Sequence, residues 1–366
     1  MDKNTLKIIL IVVAIILTLT IVGVTLALVL PKDKDKNSNG TNSNNSSQTT
    51  SSTSNDTSSD TPSSNQSPTS SNPSSSKPTS SQNTSSGSSD YTPIDLKIVK
   101  KDSASALDSN KAHVIILSGQ SNATGQSMVS FLEKTATASD LAEYKAGYNN
   151  VLINYYVDMG RSNNKFEPVT LGQGATREKF GPEVGIAQYL SKTYPTETFY
   201  IIKASISGAG IAKHFKEGDN EYNFLIKSID KGFKILEDQG LTPELFAFCW
   251  MQGETDALDG ISANDYYDLE SDLFNRILTR YAKYASKNGV ATIDAGISQF
   301  WSKHKIVNEH KQKYANEAQN RYFFDTQKEE LTYKLENNDP SHYDSQAMIK
   351  LGKLFGKFID TVASKK

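Results

Sequence analysis

The stretch HVIILSGQSNATGQS, residues 113–127, decides the fold of this chain. It begins with an apolar run at residues 113–117, long enough for a buried strand, and changes abruptly to small polar residues around Ser121. A buried strand that ends in a Gly-flanked polar loop is typical of the carboxyl edge of a parallel sheet. The loop itself fits three interpretations: an ordinary turn, a phosphate cradle made by backbone N–H groups, or the seat of a nucleophile.

The rest of the domain alternates short apolar runs with amphipathic stretches. Further strands are predicted at residues 151–156, 199–204, 246–250, 291–297 and 322–325. The clearest helix patterns span residues 263–287, with Gly289 as the stop, and residues 344–363. This alternation predicts an α/β domain with a doubly wound, mainly parallel sheet.

The residues before this domain have a different composition. Residues 8–30 carry no charge and would span about 35 Å as a helix, enough for a hydrocarbon core of about 30 Å. We therefore expect a membrane anchor within residues 1–36, with a cleavable signal peptide as the alternative. Residues 37–92, rich in Ser, Thr and Asn, are expected to form a disordered linker. The folded domain, residues 93–366, is then expected outside the cell, membrane-held or secreted.

Charge and cysteine content narrow the class of protein. The 366-residue chain has a formal net charge of −2 and no basic stripe, so nothing favours a nucleic-acid partner. Its single cysteine, Cys249, means that an exported domain would depend on its hydrophobic core without disulfides. His304 and His310 are six residues apart and no HExxH pattern occurs, so we expect no metal, no cofactor and two helix-surface histidines.

Four polar loops follow or precede these elements. They are the Ser121 loop (SGQSNATG, residues 118–125), the Gly208 loop (ASISGAGI, 204–211), the Gln252 loop (WMQGETDA, 250–257) and the His342 loop (NNDPSHYDS, 337–345). In the His342 loop, Asp339 could fix the tautomer of His342 and leave its other ring nitrogen free for a serine. Alternatively, Asp339 could be a helix N-cap with Pro340 at the first helical position.

The other loops also allow more than one interpretation. Gln252 could donate its amide into a site or be a turn residue. Glu254 and Asp256 are candidates for a general acid/base pair, although carboxylates alone are common. The nucleophile elbow G-x-S-x-G is not matched, because residue 123 is Ala.

In combination, these blocks resemble the SGNH-hydrolase superfamily. Within it they are most similar to the sialate O-acetylesterase-like branch, which includes acetylxylan esterases of carbohydrate esterase family six. The matching residues are Gly119-Gln120-Ser121-Asn122, Ser207-Gly208, Trp250-x-Gln252-Gly253-Glu254-x-Asp256, Asp339-x-x-His342-Tyr343 and the segment FGPEVGIA at residues 180–187. The resemblance covers about residues 112–362, nearly the whole predicted domain.

The resemblance implies a three-layer α/β/α fold with a flavodoxin-like sheet, and a serine esterase that removes O-acetyl groups from carbohydrate through a covalent acyl-enzyme. The implied residues are Ser121 as nucleophile, His342 as base, Asp339 as its orienter, the Ser121 and Gly208 N–H groups with the Gln252 side chain as oxyanion hole, and Gln120, Asn122 and Glu254 as support. The chain departs from the family at Ser207-Gly208-Ala209, where Gly-Gly-Thr is frequent. A non-catalytic glycan-binding domain and a flavodoxin-like cofactor binder are the alternatives.

Overall fold

The computed structural model describes residues 91–101, 107–108, 110–333, 336 and 338–364. The predicted anchor and nearly all of the predicted linker lie outside the described residues. Within the described ranges, no helix combines the length and the apolarity needed to cross a bilayer. The described chain starts at Tyr91, whose hydroxyl donates to Glu329 Oε1, and the Ile94 N–H donates to the same oxygen at 2.8 Å. Contacts with the domain therefore begin two residues before the predicted boundary.

The described residues form ten strands and ten α-helices. The strands are β1 (Lys111–Gly119), β2 (Ser127–Met128), β3 (Tyr148–Val157), β4 (Arg161–Ser162), β5 (Glu167–Val169), β6 (Lys179–Phe180), β7 (Phe199–Ser205), β8 (Thr242–Met251), β9 (Ala291–Ala295) and β10 (Arg321–Phe324). The helices are α1 (Ser121–Thr124), α2 (Val129–Thr135), α3 (Ala138–Ala146), α4 (Glu183–Thr193), α5 (Ile211–His214), α6 (Asn220–Asp238), α7 (Glu254–Asp259), α8 (Ala263–Arg280), α9 (His304–Asn316) and α10 (Ser345–Ala363).

The main sheet has the strand order β10-β9-β8-β1-β7-β3-β4, and β5 also pairs with β3. All pairings from β10 to β3 are parallel, whereas β4 and β5 run antiparallel to β3. The short strands β2 and β6 form a separate antiparallel pair. All six predicted strands are present, and the prediction of an α/β domain with a mainly parallel sheet is confirmed.

The order of the parallel strands differs from the predicted flavodoxin-like one. Numbered along the chain, the parallel strands run 2-3-1-4-5-6 from the β3 side, whereas flavodoxin-like sheets run 2-1-3-4-5. The prediction is therefore wrong at one position, because β7 lies between β1 and β3, where the flavodoxin-like order would place β1 directly beside β3. The reason is that β7 forms parallel hydrogen-bond ladders along both of its edges, one with β1 and one with β3.

Helices cover both faces of the sheet. On β7, Lys203 Nζ donates to Glu183 Oε2 in α4 at 2.8 Å, while a Cβ placed on Gly232 in α6 would lie 2.7 Å from the side chain of Ile202. Because successive strand residues point to opposite faces, α4 and α6 lie on opposite sides. Helix α10 joins α4 on its side, where a Cβ on Gly352 would meet the Pro182 carbonyl oxygen at 2.1 Å.

Two predicted helices differ from the observed ones at their ends. Helix α8 ends at Arg280, seven residues early, and a 3₁₀ helix follows at Ala282–Tyr284. The tighter turn aligns residues three apart, and Tyr281 and Tyr284 both stack on Phe233 at 5.4 and 4.0 Å. Helix α10 is capped by Asp344, whose side chain accepts from the Ala347 N–H. The alternative that made Asp339 the N-cap is therefore wrong.

Candidate active site

The Ser121 loop turns sharply at the carboxyl end of β1. Gly119 has φ 136°, and a Cβ there would lie 2.0 Å from the carbonyl oxygen of Met251, so only glycine fits. The next N–H, from Gln120, donates to that same oxygen at 2.9 Å. Ser121 follows as the first residue of α1 and is 8% exposed. The neighbouring strand β8 thus fixes the direction in which the serine leaves the sheet.

The side chain of Gln120 joins the Ser121 loop to the Gln252 loop. Its Oε1 accepts from the Gly253 N–H at 3.3 Å and from the Thr255 N–H at 3.2 Å. Its Nε2 donates to the Thr255 hydroxyl at 3.3 Å. These bonds fix the distance between the two loops, so Gln120 supports the site without facing it.

Asn122 connects three of the four loops. Its Nδ2 donates to Glu254 Oε1 at 2.8 Å, and its Oδ1 accepts from the Tyr343 N–H at 3.2 Å. All three residues are at most 2% exposed. Asn122 directly follows Ser121, and Tyr343 directly follows His342, so this amide brings the serine and the imidazole into the same neighbourhood.

His342 and Asp339 form the carboxylate–imidazole pair that their spacing predicts. Nδ1 of His342 lies 2.7 Å from Asp339 Oδ2, and Asp339 Oδ1 accepts from the Ser341 N–H at 3.0 Å. Burial alone would raise the pKa of Asp339, but the hydrogen bond and charge of His342 lower it well below its usual range. An ionised Asp339 favours the tautomer with hydrogen on Nδ1, which leaves a lone pair on Nε2.

The Gly208 loop presents its backbone to open space. Gly208 has φ 75°, and no atom lies within 4 Å of a Cβ placed on it. The loop is held from both sides, since Asp158 Oδ1 accepts from the Ser207 N–H at 2.7 Å and the Thr255 hydroxyl donates to the Gly208 carbonyl at 3.1 Å. Among the described residues, no acceptor partners the N–H of Gly208 or of Ser121. Both are therefore available as donors.

Gln252 occupies a different position from the one expected of an oxyanion donor. The residue is fully buried, and its Nε2 donates to Gln120 Oε1 and the Ala209 carbonyl, both at 3.2 Å, and to the Asp256 carboxylate. Its Oε1 accepts from the Tyr266 hydroxyl at 3.2 Å. Nearby buried acceptors capture the amide, so in this conformation it holds the loops together and does not meet solvent.

The two carboxylates of the Gln252 loop also have structural partners. Asp256 accepts from the N–H groups of Ile211 at 2.8 Å and Ala212 at 3.1 Å, and so caps α5 behind the Gly208 loop. Glu254 is fully buried, and burial raises the pKa of its carboxyl against the opposing effects of Asn122 and His342. The geometry does not favour these residues as a general acid/base pair.

A buried ionic network beneath Gln252 was not anticipated from the sequence. The Tyr266 hydroxyl oxygen lies 3.0 Å from Glu270 Oε1, and Lys311 Nζ contacts Glu270 at 3.6 Å and forms a closer pair with Asp294. Burial and the neighbouring Glu270 raise the pKa of Asp294 well above its usual range. One proton shared by the two carboxyls then balances the single lysine charge.

The sequence did contain a signal for this network. Lys311 lies on the same helical face of α9 as Val307 and Tyr314, at spacings of four and three, and all three are buried. A lysine within an apolar stripe indicates a buried partner of opposite charge.

The described residues contain no group of three or more His, Cys, Asp and Glu side chains arranged to hold a metal ion. His304 and His310 both lie on α9, as predicted, but half-buried instead of exposed. His304 Nδ1 lies 2.7 Å from the Trp301 carbonyl oxygen.

Solved structures of other proteins align with more than half of this chain at low sequence identity. A protein from Arabidopsis thaliana has 18% sequence identity and a TM-score of 0.49, covering 69% of this chain and 99% of its own. NanS has 15% identity and a TM-score of 0.48, covering 70% and 98%. A carbohydrate acetylesterase family member from Sinorhizobium meliloti has 12% identity and a TM-score of 0.37, covering 59% and 100%. No curated protein sequence matches the chain.

The family assignment rests on the sequence of the domain itself. Residues 111–360 match the family model described as carbohydrate esterase, sialic acid-specific acetylesterase. The matched region runs from the first residue of β1 into the last turns of α10, and it contains all four loops of the site. The chain therefore belongs to the sialic acid-specific acetylesterase family and is a carbohydrate esterase.

Proposed function

We propose that this protein removes O-acetyl groups from carbohydrate with a Ser121–His342–Asp339 triad and an acetyl-serine intermediate. The observation that carries the proposal is the double link at His342. Asp339 holds its Nδ1 at 2.7 Å, and Asn122 ties the next residue, Tyr343, to the loop of Ser121. The match to an acetylesterase family supports the same reaction class.

In the first half of the reaction, His342 Nε2 takes the proton of the Ser121 hydroxyl as its oxygen attacks the acetyl carbonyl carbon. The negative charge that develops on the carbonyl oxygen needs donors already in place. The N–H groups of Ser121 and Gly208 supply them, because neither has another acceptor within the described residues. Collapse of the intermediate breaks the ester bond, and the proton on His342 passes to the departing sugar oxygen, which leaves as a hydroxyl group.

In the second half, a water molecule replaces the sugar. His342 takes one of its protons while the hydroxide oxygen attacks the acetyl group on Ser121. The tetrahedral intermediate releases acetic acid, which ionises to acetate in water, and the proton on Nε2 returns to the Ser121 oxygen. Asp339 keeps the imidazole oriented throughout and stays ionised, consistent with its lowered pKa. Gln252 contributes by holding Gln120 and the Gly208 loop in position.

Acetate release from O-acetylated sugars by the full-length protein tests this proposal. Ser121→Ala should lower kcat by about 10⁴ or more, since loss of a triad serine leaves only binding and oxyanion effects. Ser118→Ala is the matched control: it is buried three residues away, and its Oγ has no hydrogen-bond partner in the described chain. Comparable activity in the two variants would exclude Ser121 as the nucleophile, and sugar binding without hydrolysis in the wild type would favour a glycan-binding domain.

We also propose that residues 8–30 anchor the protein in the membrane and that residues 37–92 hold the esterase domain outside the cell. The support is the uncharged length of the first segment and the polar composition of the second. Protease added to intact cells should cut the linker and release an active domain. A domain cut only after lysis would place it inside the cell.

A further inference from the structure

A cavity of about 420 Å³ lies beside the His342 loop, at the carboxyl ends of β9 and β10. This volume falls within the range of about 300–1,000 Å³ of small-molecule sites. The lining residues are Ser298, Gln299, Thr326, Gln327, Glu330, Leu331, Thr332 and Tyr333. None of these residues belongs to the proposed triad or oxyanion hole, so the proposed catalytic step does not explain the cavity.

The cavity and the proposed catalytic base share a wall. The Tyr343 hydroxyl donates to Thr326 Oγ1 at 2.8 Å, and the Asp344 N–H donates to the Thr332 carbonyl at 3.0 Å. Tyr343 and Asp344 directly follow His342, and each residue adds at most about 3.8 Å between Cα atoms, so the Asp344 backbone at this wall lies within about 8 Å of the His342 Cα atom. This proximity suits a sugar ring linked to the one that carries the acetyl group.

The lining has the chemistry of a site for sugar hydroxyls. Gln299 and Gln327 each offer amide donors and a carbonyl acceptor, while Leu331 and Tyr333 supply an apolar surface. Phe300, directly after the lining residue Gln299, is an exposed aromatic side chain, 39% accessible. A pyranose ring has apolar C–H faces and polar hydroxyl groups at its edge. A lining that combines amide and apolar side chains therefore suits a sugar better than a fully apolar ligand.

Glu330 gives the cavity a charge preference. It is the one ionisable carboxylate among the lining residues and no lysine or arginine accompanies it there, so a carboxylate-bearing sugar would be repelled. Its backbone has φ 54°, a left-handed conformation that costs a non-glycine residue of order 1 kcal/mol. Such strain persists where the surroundings impose it, often at binding sites.

We propose that this cavity is a subsite for an uncharged sugar unit next to the acetylated one, so that the enzyme favours acetylated oligosaccharides whose neighbouring unit is neutral over those whose neighbouring unit carries a carboxylate. This inference rests on the proposed esterase function for its consequence in turnover. Occupation of the subsite adds binding energy only for substrates longer than one sugar.

Turnover by the full-length protein tests the subsite with three substrates: p-nitrophenyl acetate, glucose monoacetate and partly acetylated cellotetraose. The wild type should have a higher kcat/KM on the tetraose than on the monosaccharide. The double variant Gln299→Ala/Gln327→Ala should raise KM for the tetraose between about 5- and 50-fold, because two hydrogen bonds are lost. The kcat/KM of the double variant on the two small esters should stay unchanged. The control Gln312→Ala alters an exposed glutamine of α9, and its kcat/KM on all three substrates should equal that of the wild type. Equal loss on all substrates, or none on the tetraose, would overturn the subsite.

The charge preference has a separate test. Glu330→Lys should raise kcat/KM on an acetylated sugar linked to sialic acid at least about 5-fold relative to its value on partly acetylated cellotetraose, because repulsion of the neighbouring carboxylate becomes attraction. An unchanged ratio would show that Glu330 sets no charge preference. Calorimetric binding of unacetylated cellotetraose to Ser121→Ala, with and without the double substitution, measures the subsite without turnover. If the double substitution weakens cellotetraose binding, the subsite is supported even where the esterase proposal fails. If the double substitution leaves this binding unchanged, the subsite is overturned.

Discussion

Asn122→Ala tests whether one buried amide couples the Ser121 loop to the His342 loop. The substitution removes the donor to Glu254 Oε1 and the acceptor of the Tyr343 N–H, both of which are buried. Glu254 Oε2 already has no hydrogen-bond partner in the described chain, so the variant leaves this carboxylate without its side-chain donor. Burial would then raise the pKa of Glu254 further, and the two loops would lose their direct link.

The size of the effect follows from the two groups left unsatisfied. Each buried polar group without a partner costs about 1–3 kcal/mol, so the free energy of unfolding should fall by about 2–6 kcal/mol. In a domain of this size, each kcal/mol lowers Tm by about 2–4 °C, which predicts a decrease of about 4–24 °C. Because the loops also position Ser121 against His342, kcat should fall while KM changes little.

Thermal unfolding and steady-state hydrolysis of a small acetate ester measure both effects. Asn316→Ala, an exposed asparagine at the end of α9, is the matched control and should stay within about 0.5 kcal/mol of the wild type. Adding Glu254→Gln to the Asn122→Ala variant should recover part of the stability, since a neutral amide costs less to bury than a carboxylate. Wild-type Tm together with wild-type kcat in Asn122→Ala would refute the coupling.

Three further predictions concern the proposed chemistry. Asp339→Asn should lower kcat by about 10⁴ with little change in folding, because the amide stabilises the wrong tautomer of His342; kinetics and a melting curve check this. In a pH profile, kcat/KM should fall in acid with one ionisation, since a neutral imidazole is required while the lowered pKa of Asp339 keeps its carboxylate charged; two acid ionisations would contradict it. Gln252→Ala should lower both kcat and the free energy of unfolding, the latter by about 1–3 kcal/mol. A loss of about 10²–10³ in kcat with unchanged stability would instead return Gln252 to the oxyanion hole.

The sequence predicts what depends on local pattern. The apolar run before Ser121 predicted β1, and the polar residues after it predicted a site at the carboxyl edge of the sheet. The three-residue spacing predicted that the side chains of His342 and Asp339 could form a hydrogen bond, and His342 Nδ1 lies 2.7 Å from Asp339 Oδ2. Each of these features is fixed by residues close together in the chain.

The sequence could not predict what depends on neighbours distant in the chain. The place of β7 between β1 and β3 depends on its pairing with two strands that lie far away in the chain, which no periodicity reveals. The inward position of Gln252 depends on Tyr266 and Asp256 lying within hydrogen-bond reach.

The identity of the acylated residue is the most direct test of the account. Full-length protein mixed with excess p-nitrophenyl acetate, quenched in acid within milliseconds and digested, can be analysed by mass spectrometry for an acetylated peptide. We predict one acetyl group on the peptide that contains Ser121, present in the wild type and in Ser118→Ala and lost in Ser121→Ala. An acetyl group on any other residue during turnover, or efficient turnover in Ser121→Ala, would contradict it.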